Sequence, residues 1–208
     1  MDDKGQVFQG YFAGKNYDRF SPLLGMHDAF YNKAVGDLSV SGGMRVMDLG
    51  CGTGRLLFAL AAKTPDDVVF TGCDYSPDQL ARAEQMKSRF KQNIAFMHSS
   101  MDEVDFPDGH FNVIMSSMAM HAVSPKIRAA AIFNCARMLK KGGQFLFVDL
   151  GKPRFSFLGA LFAVMHRKQG KDSYAIETIT GHCVDSGLAL ESDQYINPLV
   201  RRQVFRKV

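Results

Sequence analysis

Short apolar runs alternate along the chain with stretches whose apolar residues recur every three or four positions. The runs Met44 to Leu49, Val68 to Asp74, Ile94 to His98, Phe111 to Ser116 and Gln144 to Leu150 read as strands. Between them lie helical patterns. Arg55 to Lys63 follows a glycine turn, Ser76-Pro77 opens a helix through about Phe90, and Ser124-Pro125 opens another. In that last helix Ile127, Ala131, Cys135 and Met138 share one face, and Gly142-Gly143 is expected to stop it. Ahead of the first strand, residues 1–43 read as a mostly helical preface in which Ser21-Pro22 starts a helix running toward Leu38. Behind the fifth strand, a helix near Tyr174 to Ser186 precedes Leu190 to Ile196 and Arg201 to Val208, two strands expected to form an antiparallel hairpin. Strands alternating with amphipathic helices make parallel βαβ units. The expected class is therefore α/β: a doubly wound, mainly parallel sheet of seven strands with helices on both faces and an antiparallel end.

Composition narrows the class of function. With 208 residues, 46% hydrophobic and 22% charged, the chain has the material for a full core, and no Pro/Gly/Ser-rich linker divides it. A single unit is expected, with a helical cap over residues 1–43, a ligand-binding core over 44–150 and an acceptor-side insertion plus hairpin over 151–208. The net charge of +4 is spread out, apart from Lys140-Lys141, His166-Arg167-Lys168 and Arg201-Arg202. That pattern argues against a nucleic-acid partner and for solvated faces. Four cysteines without a C-x-x-C pair suggest free thiols in a reducing cytoplasm and no metal site. The polar start Met1-Asp2-Asp3-Lys4 is unlike a signal peptide, and the longest apolar stretch, Phe155 to Met165, is too short to span a bilayer.

Ligands of doubly wound sheets bind beyond the carboxyl ends of the strands, which points to Asp48-Leu49-Gly50-Cys51-Gly52-Thr53-Gly54. Glycines at alternate positions let backbone turn sharply and approach a ligand closely. Asp74 ends the next strand, where such folds set a carboxylate against ribose hydroxyls. A glycine turn alone is common punctuation, and a strand-end aspartate alone often caps a helix. Together and in this order they point to a nucleoside. The spacing G-x-G-x-G, with Arg55 where a dinucleotide fingerprint has its third glycine, disfavours nicotinamide and flavin dinucleotides.

The string Val46-Met47-Asp48-Leu49-Gly50-Cys51-Gly52-Thr53-Gly54 resembles the first motif of class I S-adenosylmethionine-dependent methyltransferases, and the resemblance runs from about residue 44 to 150. It implies a Rossmann-like fold, S-adenosyl-L-methionine as cofactor and S-adenosyl-L-homocysteine as product. It also implies that Asp48, Gly50, Cys51, Gly52 and Gly54 form the cofactor turn, that Asp74 holds the ribose and that Tyr75 packs on adenine. Ser99-Ser100-Met101-Asp102 with Phe106-Pro107-Asp108 is similar to the adenine-side segment. The family commonly has aspartate at the Ser100 position, so Ser100 or Asp102 is left to take the adenine amino group beside the Met101 backbone. Ser116-Ser117-Met118-Ala119-Met120-His121 resembles the strand end that faces the methyl group, and this brings Ser116 to the cofactor.

Methyl transfer is an in-line displacement, so placing the nucleophile is the main task of the protein, and a base is needed only where the acceptor loses a proton. His121 is the candidate base, against the alternative of a histidine that merely ends a strand. Tyr17 is a candidate lid residue over the cofactor, against the alternative of a packing tyrosine. Phe155, Leu158, Leu161, Phe162 and Met165, flanked by basic residues, fit an apolar acceptor lid or an interfacial helix in contact with a membrane surface, against the alternative of buried core. Asp172-Ser173-Tyr174 and Ser186-Gly187-Leu188 resemble quinone-ring C-methyltransferases. The expected activity is methyl transfer to a small apolar or aromatic acceptor such as a quinone, lipid or phenol; the alternative is a non-catalytic or partner-dependent cofactor-binding subunit.

Overall fold

A computed structural model describes residues 13–152 and 175–208. The expectations for Phe155 to Met165 and for Asp172-Ser173-Tyr174 fall outside the described residues. Seven strands form one sheet: β1 (Arg45–Leu49), β2 (Val69–Asp74), β3 (Asn93–His98), β4 (Phe111–Ser117), β5 (Leu139–Leu150), β6 (Leu188–Tyr195) and β7 (Val200–Lys207). Their order is β3-β2-β1-β4-β5-β7-β6. The first five pair in parallel, while β7 runs antiparallel between β5 and β6. This is the expected doubly wound sheet with its antiparallel end.

Helices α1 (Gly14–Phe20), α2 (Asp28–Ala34), α3 (Arg55–Ala61), α4 (Pro77–Lys87), α5 (Pro125–Met138) and α6 (Ala175–Asp185) flank the sheet. One core joins Phe30 of α2 and Leu57 and Leu60 of α3 to Val46, Phe70 and Val113 on one face. The other joins Ile127, Ala131 and Cys135 of α5 and Ile176, Ile179 and Cys183 of α6 to Met47, Ile114 and Phe145. Adjacent residues along the strands alternate between these two cores, so β1, β4 and β5 are buried on both sides, as central parallel strands must be. The chain leaves β1 toward β2 and β3 and later returns to β4 on the other flank, which creates a switch point between β1 and β4.

Two expectations are corrected. Ser21-Pro22 does not open a helix to Leu38: Ser21–Leu24 is a 3-10 turn, ended by Gly25 at φ 84°, and His27 is the N-cap of α2. The Ser21 hydroxyl is engaged by Arg55 and caps nothing. Gly142-Gly143 does not stop α5, which ends at Met138 because Leu139 is already extended and pairs with Phe111. The glycines instead fall where the β4–β5 register shifts, between the Phe111–Leu139 and Val113–Gln144 pairs. At Ser76 and Ser124 the caps are as expected, their hydroxyls accepting from the N–H groups of Gln79 and Ile127.

Candidate active site

A cleft opens at the carboxyl ends of β2, β1 and β4. The turn from β1 to α3 forms its floor. Gly50 sits at φ 69°, and a Cβ there would lie 2.4 Å from the Ala119 Cβ, so only glycine lets the turn after β1 and the turn after β4 touch. At Gly52, φ 54°, no atom comes within 4 Å of an added Cβ, although Gly52 lines the cleft. The backbone there is bare and faces open space.

Asp74 closes the nucleoside side. Its carboxylate accepts from the N–H of Gly52 at 2.7 Å and of Ser76 at 2.8 Å, which fixes its orientation toward the cleft. Burial raises its pKa, and the N–H groups of Ser76, Gly52 and Tyr75 and the charge of His98 offset part of the rise. Tyr75 and Met101 also line the cleft. Behind Tyr75 stands His98, its ring stacked at 5.5 Å and its Nε2 3.0 Å from the Tyr75 carbonyl oxygen.

Asp48 lies one turn deeper. Both carboxylate oxygens are buried without a hydrogen bond of normal geometry, and they face the cleft. Burial pushes the carboxyl up to about 8, the Asp74 charge adds to the shift, and the Leu57 backbone N–H offsets little of it. The Ser117 hydroxyl, at the end of β4, is likewise buried without a partner and lines the cleft. Unsatisfied buried polar groups are rare in native proteins, and two in one cleft indicate a polar ligand. Cys51 lines the cleft as well, but burial pushes its thiol well up, so it packs without acting as a nucleophile.

The opposite wall comes from the N-terminal helices. Tyr17 of α1 and Tyr31 of α2 line the cleft, and burial raises both phenols. Their placement depends on polar ties to the glycine turn. Asp18 accepts from the Thr53 hydroxyl at 2.6 Å and from Arg82 Nε at 2.9 Å, which fastens α1 to both the turn and α4. Arg55 donates to Ser21 Oγ and the Met26 carbonyl, pairs with Asp28 at 2.7 Å, and stands 4.9 Å from the centre of the Tyr31 ring.

His121 sits on a 3-10 turn, Met120–Ala122, beyond β4. It is not among the lining residues, whereas its neighbours Ala119, Ala122 and Val123 are. Its Nδ1 lies 2.6 Å from Asp149 Oδ1, and its backbone N–H donates to Oδ2. Asp149 is fully buried at the end of β5. Because a carboxylate only accepts, the proton of the neutral ring is on Nδ1 and the lone pair on Nε2. Burial pulls the imidazole down and Arg128 adds to that pull; the charge and hydrogen bond of Asp149 nevertheless hold it above its ordinary value.

Of the residues expected at the cofactor, Asp48, Gly50, Cys51, Gly52, Asp74, Tyr75, Met101 and Tyr17 line this one cleft. Gly54 is the N-cap of α3. Ser100 is buried and donates to Asp102, and neither lines the cleft; Ser99 and Met101, one residue to either side of Ser100, do. Ser116 points between strands and donates to the Leu49 carbonyl at 2.8 Å, so alternation along β4 presents Ser117 instead. The alternation of the strand carried that signal. Tyr31 at the cleft and Asp149 behind His121 are not legible in the sequence, because both are placed by tertiary packing; Arg55 follows the glycine turn, but its ties to Ser21, Met26 and Asp28 are tertiary as well.

A methyltransferase-domain family model matches residues 46–143. The ubiquinone/menaquinone biosynthesis C-methyltransferase of Geobacter sp. (strain M21) is 27% identical over 159 residues, covering 74% of this chain and 67% of the relative. The demethylmenaquinone methyltransferase of Bacillus licheniformis is 26% identical over 187 residues, covering 83% and 79%. The crystal structure of an S-adenosylmethionine-dependent methyltransferase from Mesorhizobium loti superposes with a TM-score of 0.67 at 20% identity, covering 88% of this chain and all of that one. These similarities support a class I S-adenosylmethionine-dependent methyltransferase. The cofactor of this methyltransferase is S-adenosylmethionine, and the cleft suits it: Asp74 for ribose hydroxyls, bare backbone at Gly52, and the unpartnered Asp48 carboxylate for the ammonium of the methionine end. No helix among the described residues is long and apolar enough to cross a membrane.

Proposed function

We propose that this methyltransferase methylates a small, apolar, ring-bearing acceptor of the hydroquinone or phenol type, with the His121–Asp149 pair as its base. The observation that carries the reading is the 2.6 Å contact between His121 Nδ1 and the buried Asp149, on a turn whose Ala122 and Val123 form the apolar wall of the cleft. Similarity to quinone C-methyltransferases supports the acceptor class.

Bound S-adenosylmethionine supplies an electrophilic methyl on a positively charged sulfur. The residues of the chain do the rest. Asp74 would hold the ribose of the donor and Asp48 its ammonium. Tyr17, Leu56, Met118 and Val123 form the apolar surround that keeps water from the reacting atoms. An acceptor carbon or oxygen held against Ala122 and Val123 would take up that methyl group, and the donor would depart as the neutral thioether. The proton lost from the acceptor goes to His121 Nε2, and Asp149 stabilises the imidazolium that forms.

Methyl transfer to a reduced demethylated naphthoquinone, followed by mass spectrometry of the product, tests the reading. Turnover by the wild type, lost in His121→Asn with S-adenosylhomocysteine affinity retained, is the expected result. Turnover undiminished in His121→Asn removes the base assignment, and no transfer to quinols or phenols removes the acceptor class.

A further inference from the structure

Met118 is the single non-glycine residue with positive φ among the described residues, at φ 53°. An L-residue adopts this left-handed conformation only against steric resistance, and such outliers persist where surrounding structure enforces them. The enforcement is visible: the Met118 N–H donates to the Val148 carbonyl at 2.8 Å, while the next residue, Ala119, is pressed against Gly50. A glycine at position 118 would satisfy the same backbone path without resistance. The side chain is therefore what the position retains at a cost. That side chain lines the cleft with Tyr17, Tyr31 and Leu56 and packs on the core beneath α2 and α3.

Strand order places Met118 along the cleft. The carboxyl ends run β2, β1, β4, which carry Asp74, then Asp48 and Gly50, then Ser117 and Met118. A donor whose ribose lies on Asp74 and whose ammonium lies on Asp48 would hold its sulfur between the two, and Met118, on the β4 end next to β1, lines the same cleft. We infer that Met118 is a specificity-determining residue for the methyl donor, its side chain limiting the size of the alkyl group that the donor sulfur can carry in this cleft. The ligand class it excludes is S-adenosylmethionine analogues with extended S-alkyl groups. The inference rests on the cofactor reading of the cleft and needs no knowledge of the acceptor.

The experiment compares Met118→Ala, Met118→Gly and Met118→Leu with the wild type by calorimetric titration of S-adenosylmethionine, S-adenosylhomocysteine and the S-allyl analogue, together with thermal melts. A cleft wall that excludes two extra carbons should make the wild type bind the S-allyl analogue at least about tenfold more weakly than S-adenosylmethionine. Both small variants should bring the two donors to within a few-fold of each other, while Met118→Leu keeps the wild-type gap. The melts separate side chain from backbone: Met118→Gly should melt about 2–4 °C above Met118→Ala, because only glycine is free of the left-handed cost. Unchanged discrimination in Met118→Ala and Met118→Gly overturns the inference, as does Met118→Ala melting as high as Met118→Gly. A wild type that binds none of the three ligands would instead overturn the cofactor reading, and the two failures are distinguishable.

Discussion

The two halves of the cleft are built by different means. At the ends of β1 and β2, the nucleoside half consists of backbone at Gly50 and Gly52 and two carboxylates, Asp48 and Asp74, the second held by two main-chain N–H groups. At the ends of β4 and β5, the other half consists of side chains from distant segments: Met118 and Val123 line the cleft with Tyr17 and Tyr31 of the N-terminal helices, and next to Ala122 the His121–Asp149 pair joins groups 28 residues apart. A half made largely of main chain is little changed by substitution, whereas a half made of side chains can be altered without disturbing the first.

The largest effect expected from separating the halves is on turnover. Asp149→Asn should lower turnover on an acceptor that loses a proton by roughly 10²–10⁴-fold, with calorimetric affinity for S-adenosylhomocysteine essentially unchanged. If the proposed base works as neutral imidazole, the wild-type rate should rise with pH through a value above the ordinary histidine range near ~6.5. The same raised value means that the pair stabilises the fold at low pH and that its contribution fades as pH climbs through the folded-state pKa. In the other half, Asp74→Ala should weaken S-adenosylhomocysteine binding by roughly a hundredfold, through loss of charge-assisted hydrogen bonds to the ribose.

Next in size is the contact between the halves. Gly50→Ala forces a Cβ against Ala119 and should cost about 2–4 kcal/mol in denaturant unfolding, from overpacking and the left-handed backbone together. Gly52→Ala meets no neighbouring atom, so only the backbone cost of about 1–2 kcal/mol remains, while cofactor affinity falls because the Cβ enters open cleft.

Asp48→Asn should move stability and binding in opposite directions. With its carboxyl raised to about 8, Asp48 binds a proton in the folded ligand-free protein that it lacks when unfolded, so it erodes stability as pH rises from about 4 to 8. Thermal melts at pH 8 should show the ligand-free asparagine variant more stable by about 1–3 kcal/mol, and titration should show weaker cofactor binding. Wild-type binding near pH 7 should release a proton, detectable as a dependence of the binding heat on buffer. Smallest is Asp18→Ala, which unties α1 from Thr53 and Arg82: a loss of about 0.5–1.5 kcal/mol in stability and faster release of S-adenosylhomocysteine in stopped flow.

The strand-helix alternation, the glycine turn and Asp74 were legible in the amino-acid order because each is a local pattern. Periodicity decides which residues face a core, glycine permits a left-handed turn, and a strand end places the next side chain. The serine caps at Ser76 and Ser124 were legible for the same reason. Where a local signal had competition it misled: Ser21 had the form of a cap, but Arg55 took its hydroxyl, and Ser116 was expected at the cleft although strand alternation hands that place to Ser117.

The sequence by itself thus determined the doubly wound sheet and the nucleoside half of the cleft, whose parts lie within thirty residues of one another, from Asp48 to Asp74. Tertiary structure alone decided the rest. It set Asp149 behind His121, left Asp48 and Ser117 without partners, pinned α1 across the cleft through Asp18, and drove Met118 into a conformation its residue type resists. Each of these depends on the distance between groups far apart in the chain, and burial and electrostatics act through that distance and not through sequence spacing.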